Sequence, residues 1–175
     1  MQRHPVGRRK REKRWNVKIL LLGDERLYDA SEPVQREQLP ALAGTVQDLR
    51  DTLFAYRKKY GAGRAIAAPQ IGVFLRLIYL ETGPRRIVFF NPVLTPLGPE
   101  QMEVLDDCMS FPGLRVKVRR FRRCAVEYRD EQWQLCRQEF EGDFAELIQH
   151  EYDHLDGILA TMRAIDNRSL VMQRQ

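Results

Sequence analysis

The chain has 175 residues, a length that suits one domain with a sizeable buried core. Hydrophobic residues make up 43% and charged residues 30% of it, and no apolar run is long enough to span a membrane. Three cysteines, an odd number, argue against a disulfide framework and favour a reducing compartment. Composition thus excludes a membrane-spanning protein and a small disulfide-rich secreted domain.

The net charge of +5 is concentrated at the N-terminus. Residues 1–15 carry seven Lys or Arg and one Glu, whereas the remainder has 22 basic and 23 acidic residues. We therefore divide the chain into a basic tail, residues 1–16, and a single domain, residues 17–175. The tail predicts either a solvated arm or a contact with RNA, the ribosome or another anionic surface. It has no serine and no amphipathic pattern, so we expect a cytoplasmic protein, with an organellar location as the alternative.

The first half of the domain contains one clear helical pattern. The short apolar run 17–22 predicts a strand or a segment packed on the core, and the proline-broken residues 28–40 predict a loop. From Leu39 to Tyr60 apolar residues recur every three or four positions. This spacing predicts an amphipathic helix that ends near Gly61 and packs its apolar face on the core.

A segment of small residues, 61–72, follows this helix. It allows the backbone to approach another group closely, but it lacks the Gly-Lys-Ser/Thr ending of a phosphate-binding loop. Taken alone, the segment predicts nothing specific, and Gln70 within it would be a solvent-facing side chain.

Alternating or continuous apolar patterns predict strands in the second half. These strands are 73–80, 86–90, 116–118, 124–128 and 133–140. A second basic run occupies positions 115–123. If the valines in that run face the core, the basic residues that alternate with them face solvent, so a solvated strand face is the expectation.

Residues 144–155 predict a helix that ends at Gly157 and contains His-Glu-x-x-His. His150 and His154 are four positions apart, so both imidazoles project from one face and can bind one divalent metal ion. Glu151 then lies beside the ion as a possible general base. A chance pair of histidines on a surface helix is the alternative.

A catalytic site of this kind needs a third ligand and an open position for water. The downstream position used by some zinc proteases holds Ala160, and the only acid after position 156 is Asp166. Upstream, Cys108 is the best candidate, because a divalent cation would hold its thiol as thiolate despite the two acids before it. Cys124 lies in a strand pattern that faces the core, where an inert thiol is expected, and Cys136 has no evident partner.

Three stretches together resemble the three motifs of the peptide deformylase family. Residues 63–70 are similar to Gly-x-Gly-Leu-Ala-Ala-Pro-Gln, residues 106–110 are similar to Glu-Gly-Cys-Leu-Ser, and residues 149–154 match Gln-His-Glu-x-Asp-His unchanged. Their order and spacing agree as well, and the resemblance covers residues 18–170. Three motifs in order are far more specific than any one of them.

The resemblance implies an α+β fold with mixed, mostly antiparallel sheets around a central metal-binding helix. It implies that Cys108, His150 and His154 bind one divalent metal ion, often ferrous iron, which zinc, nickel or cobalt can replace. It also implies a hydrolase that removes the N-formyl group from the N-terminal formylmethionine of newly made proteins. We accordingly expect formyl-methionyl nascent peptides as partners, and a monomer.

The same resemblance assigns roles to further residues. Glu151 would transfer the proton, while the side chain of Gln70 and the backbone N–H of Met109 would stabilise the oxyanion. Asp153 is a candidate to support a metal ligand. The positions expected to contact the substrate are Gly63, Ile66, Asp107 and Arg115.

Some positions depart from the family pattern. Ala65 replaces a glycine, so a positive φ there would be costly. Asp106 is one methylene shorter than the usual glutamate, so a partner arginine, for which Arg120 is the candidate, would have to lie closer. Asp107 replaces a glycine and adds a carboxylate beside the metal-binding cysteine. A diverged member with an altered substrate or without catalysis is therefore the alternative, and a zinc endopeptidase is a further one that the missing downstream ligand disfavours.

Overall fold

Residues 17–173 are described by the computed structural model, and the basic tail lies outside this part of the chain. The two α-helices are α1 (Leu39–Tyr60) and α2 (Asp143–Leu155). The strands are β1 (Ala65–Ala67), β2 (Leu77–Thr82), β3 (Arg85–Pro96), β4 (Gln101–Asp107), β5 (Leu114–Phe121), β6 (Arg123–Arg129), β7 (Leu135–Glu141) and β8 (Leu170–Met172).

The strands form two sheets in which all neighbours are antiparallel. Five strands follow the order β1-β2-β3-β6-β7, and three follow the order β4-β5-β8. Helix α2 contacts strands of both sheets, which makes it the central element of the fold. The expected α+β fold is confirmed, although the only parallel pairing in the described region is an isolated bridge between Glu32 and Leu75.

Helix α1 forms as its apolar periodicity predicts. Proline occupies its first turn, where the missing N–H costs no helical hydrogen bond. Gly61 ends it in the left-handed conformation, with φ of 68°, and donates its N–H to the carbonyl of Arg57. The apolar stripe faces the core through Leu42, Val46, Leu49 and Leu53.

Helix α2 is held at its C-terminal end by a glycine. Gly157 adopts φ of 69°, and a Cβ at this position would collide with the backbone carbonyl of Tyr28. Ile148 and Leu155 on the helix are fully buried. The C-terminal end of α2 therefore packs tightly against the backbone of Tyr28 and Asp29. This packing fixes the position of the histidines on the helix.

Residues 17–22 do not form a strand. Their backbone instead connects two of the sequence motifs, residues 63–70 and residues 106–110. The Leu20 N–H donates to the Gln70 carbonyl and the Leu22 N–H to the Ser110 carbonyl, each at 2.8 Å. Asp106 lies in β4, a strand that the sequence analysis did not predict, and is paired in register with β5. No helix of residues 17–173 combines the length and the apolar character needed to cross a membrane.

Candidate metal centre

The three predicted ligands converge in the buried interior. Cys108 Sγ lies 3.2 Å from His154 Nε2, and that nitrogen lies 3.2 Å from His150 Nε2. The three ligand atoms are all within 4.8 Å of one another. Two consecutive turns of α2 supply the imidazoles, and Cys108 follows directly after β4.

This donor set fits a divalent metal ion. One thiolate and two imidazoles are the soft and borderline ligands that iron, nickel, cobalt and zinc accept. Three protein ligands also leave a position open, as catalytic sites require. Within residues 17–173, Cys108, His150 and His154 are the only group of three or more such side chains placed closely enough to share an ion.

The electrostatics around the two imidazoles differ. Burial lowers the pKa of His154 well below its usual value, and His150 lowers it further, so His154 keeps a free nitrogen lone pair. Burial also opposes the charged form of His150, but Asp106 and Cys108 outweigh it and raise the pKa of His150. Asp106 Oδ1 lies 2.8 Å from His150 Nδ1, which orients the ring so that Nε2 points toward the other ligands.

A largely buried network of charged side chains supports His150. Arg120 Nη2 donates to Asp106 at 2.7 Å, and Arg120 Nη1 donates to Asp153. Arg163 completes the network by donating two hydrogen bonds of 2.7 Å to Asp153. The expected Asp106–Arg120 pair is thus present, and Asp153 supports the histidine only through Arg120. Although burial opposes ionisation, His150 and Arg120 keep the pKa of Asp106 well below its usual range.

We expect Arg120→Met to lower the free energy of unfolding by about 3–5 kcal/mol, because it leaves two buried carboxylates without their shared cation. Urea unfolding of the metal-loaded protein measures the loss. Arg119→Met is the matched control: this neighbouring arginine is exposed and pairs with Glu103 on the surface, so its loss should stay below about 1 kcal/mol. Equal losses in the two variants would contradict the structural role of Arg120.

Glu151 is buried beside the ligands and lines a small cleft together with Cys108 and His150. Burial raises the pKa of its carboxyl to about 7. Its Oε2 has no hydrogen-bond partner within residues 17–173. A carboxyl in this environment can both hold and release a proton near neutral pH.

Gln70 is buried, contrary to the expectation of a solvent-facing side chain. Its Oε1 accepts a hydrogen bond of 2.9 Å from the Ala67 N–H, which fixes the orientation of the amide. Its Nε2 then points inward, 3.4 Å from Cys108 Sγ and 3.3 Å from Ser110 Oγ. Gln70 therefore presents N–H donors to the ligand cluster. The backbone N–H of Met109 has no acceptor in the part of the chain that the structure describes.

A cleft of about 50 Å³ opens beside the cluster. Of the residues expected to contact substrate, Gly63 and Asp107 line this cleft. Gly63 adopts φ of 115°, which only glycine takes without strain. Ile66, also expected to contact substrate, does not line the cleft, because the whole residue is buried in the core beside α1. Arg115 is exposed on β5, opposite Asp107 in register but outside the cleft lining.

Two further findings concern the walls of this cleft. Ala65 lines it without a positive φ, so the strain expected for this substitution does not arise. Arg64 and Glu146 also line it, and Arg64 Nη2 lies 3.1 Å from Glu146 Oε2. Sequence reasoning missed this pair, because 82 positions separate the two residues and no motif links them.

A larger cleft, of about 270 Å³, adjoins the first one and shares Tyr56 and Met109 with it. It runs between α1 and residues 17–21. Its apolar walls include Val17, Ile19 and Leu21. The site therefore has a small polar compartment at the ligand cluster and a larger apolar one next to it.

Helix α2 and Cys108 together provide what metal-assisted hydrolysis of an amide requires, since the thiol lies next to two imidazoles on one face of the helix and the buried carboxyl of Glu151 can exchange a proton. This combination defines the class of metal-dependent hydrolases. Comparison with known proteins narrows the class. The family model described as Polypeptide deformylase matches residues 16–169, and the chain belongs to this family.

Individual relatives agree with this assignment. The chain is 38% identical over 158 residues to Peptide deformylase 2 of Ralstonia nicotianae, covering 85% of this chain and 86% of the relative. It is similar to the crystal structure of peptide deformylase from Thermotoga maritima, with a TM-score of 0.77, 30% identity, and coverage of 85% of this chain and 97% of that one. The Synechococcus elongatus peptide deformylase in complex with actinonin gives a TM-score of 0.80 at 27% identity, covering 93% of this chain and 86% of the other.

Proposed function

We propose that this protein hydrolyses the formyl amide at the N-terminal formylmethionine of nascent peptides, releasing formate and a free amine. Family membership supports the reaction. The structural observation that carries the proposal is the convergence of Cys108 Sγ with the Nε2 atoms of His150 and His154, beside Glu151. We propose these three side chains as ligands of one divalent ion, ferrous iron first, with zinc, nickel or cobalt as alternatives.

A divalent ion held by these ligands would supply Lewis acidity, which activates water as a nucleophile near neutral pH. Glu151 accepts a proton from the attacking water and returns it to the nitrogen of the departing amine. The raised pKa of this buried carboxyl supports both transfers. Gln70 through its side chain and Met109 through its backbone donate N–H groups to the oxygen that becomes negatively charged.

The formylated end of the substrate would enter the cleft of about 50 Å³, between the residues that lead into β1 and those that end β4. Gly63 leaves room for the substrate backbone on one wall, and Asp107 lies on the other. β1 is a terminal strand of its sheet and its first residue, Ala65, lines the cleft, so an extended peptide can approach this sheet edge there. Arg115, which is exposed opposite Asp107, is placed for contacts farther along the peptide.

The wider setting is also a proposal. We propose a monomer that acts in the cytoplasm, where its formylated nascent substrates are made. The positive charge of residues 1–16 supports a contact of this tail with the ribosome. The tail lies outside the described residues, so this proposal depends on the sequence alone.

Anaerobic purification followed by metal analysis and a formate-release assay on formyl-Met-Ala-Ser tests the function. We expect about one metal ion per chain, bound as the three-ligand set implies, and formate release that a chelator abolishes. Unformylated Met-Ala-Ser and a longer blocked peptide serve as controls for peptide-bond cleavage. A metal-loaded protein that releases no formate, or that cleaves the blocked peptide internally, would refute the proposed reaction.

We expect Gln70→Ala to lower kcat about 10²–10³-fold, because it removes one donor to the developing oxyanion. The metal content should stay unchanged, since Gln70 is not among the three ligands. Steady-state formate release together with metal analysis measures both effects. Gln132→Ala, at an exposed turn position between β6 and β7, is the matched control and should retain full activity. A loss smaller than about tenfold would argue against an oxyanion role for Gln70.

A further inference from the structure

The charged pair of Arg64 and Glu146 crosses one wall of the small cleft. Arg64 lies just before β1, and Glu146 lies in the first turn of α2, so the pair bridges the two elements that frame the cleft. The Glu146 side chain is only 14% exposed, whereas the Arg64 side chain is 41% exposed. The carboxylate is thus held inside the cleft, and the guanidinium covers it from the solvent side.

Arg64 and Glu146 line the cleft that the first side chain of a substrate would enter. Cys108, His150 and Glu151 line the same cleft, so a formyl carbon placed at the ligands brings the first side chain against its other walls. A side chain that enters this cleft meets the guanidinium of Arg64 and the carboxylate of Glu146 on its wall. An apolar side chain there would also desolvate a carboxylate and a guanidinium without replacing their hydrogen bonds.

We propose that Arg64 and Glu146 set the substrate specificity of this enzyme, so that a formylated first residue with a hydrogen-bonding side chain is favoured over methionine. The inference rests on the proposed deformylase function and widens its substrate class beyond formylmethionine. Glutamine illustrates the chemistry: its side chain has about the length of methionine, and its amide accepts from a guanidinium and donates to a carboxylate. Sites that hydrogen-bond a substrate group discriminate strongly against analogues that lack it, whereas apolar pockets discriminate weakly.

The pair could instead serve only to fasten β1 to α2. A fastening role predicts a change in stability when the pair is removed, with no change in the ratio of rates on two substrates. A specificity role predicts a change in that ratio. The ratio of kcat/KM for two peptides that differ only in the first side chain therefore separates the two roles.

The test compares formate release from formyl-Met-Ala-Ser and formyl-Gln-Ala-Ser by the metal-loaded enzyme. For the wild type we expect kcat/KM on the glutamine peptide to equal or exceed that on the methionine peptide. The variant R64L/E146L makes this wall apolar and should shift the ratio toward methionine at least about tenfold. The control R86L/E131L removes an exposed ion pair between residues that do not line either cleft, and it should leave the ratio unchanged.

Each outcome decides the proposal. An unchanged ratio in R64L/E146L, with formate still released, would overturn the specificity role and place the methionine side chain elsewhere, such as the apolar cleft beyond Met109. If neither the wild type nor R64L/E146L released formate from either peptide, the deformylase function would be refuted, and this inference with it. If R64L/E146L fails to fold or to hold metal, Glu146→Met takes its place, because the half-exposed Arg64 can then turn into solvent. A shift toward methionine is expected in that variant too, and its absence would overturn the proposal.

Discussion

Replacing Glu151 by alanine is expected to lower kcat for formate release about 10²–10⁴-fold while the protein keeps its metal ion. The carboxyl of Glu151 is not among the three converging ligand atoms, so its removal leaves the ligand set complete. Its place in the ligand cleft, and the pKa that burial raises to about 7, suit a group that takes a proton from water and passes it to an amine. Formate release at saturating peptide, normalised to metal content, measures the effect.

Glu151→Gln serves as the companion variant, because it keeps the shape of the side chain and removes only its ability to ionise. An equal loss in both variants would assign the effect to proton transfer. Activity that survives in the glutamine variant would assign it to packing. A loss of metal from Glu151→Ala, with normal turnover in the fraction that remains loaded, would show that Glu151 supports the ligands and does not transfer the proton.

Much of the site could be predicted from the sequence, because its chemistry is encoded locally. The spacing of His150 and His154 places both rings on one face of any helix, and the helix itself follows from apolar periodicity and the glycine at its end. Cys108 was reached by excluding downstream ligands and then by the family resemblance. The structure brings these three side chains together as predicted.

Arg120 shows a signal that the sequence analysis did not use. Strand β5 alternates inward and outward, so the pattern that buries Val116 and Val118 also turns position 120 inward. A buried arginine requires acidic partners, and Asp106 and Asp153 supply them from β4 and α2. The sequence analysis named Arg120 only as the candidate partner of Asp106 in the family comparison, whereas the alternation of the basic run already separated this residue from its exposed neighbours.

Other features depend on how distant elements pack, and no local pattern contains that information. Arg64 and Glu146 meet only because α2 packs on β1. The segment 17–22 has the composition of a strand, but its backbone groups bond to the Gln70 and Ser110 carbonyls and not to a neighbouring strand. β4 was missed because six of its seven residues are exposed or half-buried and three are acidic, so the apolar alternation is weak.

Replacing Cys108 by alanine is expected to abolish stable metal binding and, with it, formate release. Two imidazoles on one helix remain, but a site with three protein ligands loses its only anionic one, and the thiolate is the ligand that neutralises part of the charge of the ion. Metal content measured after dialysis should fall from about one ion per chain to a small fraction. Residual activity should follow the residual metal.

Cys124→Ala provides the matched control for this loss. Cys124 is also a buried thiol, but it packs in the core of the five-stranded sheet, and burial raises its pKa to about 11, so it stays protonated and inert. Its replacement should cost about 1 kcal/mol of stability through a small cavity and leave the metal content unchanged. If Cys108→Ala kept a full complement of metal, or if both cysteine variants lost it equally, the thiol of Cys108 could not be a ligand. The metal centre would then need another anionic group, and the nearest candidates, Asp106 and Glu151, would have to leave the roles assigned to them above.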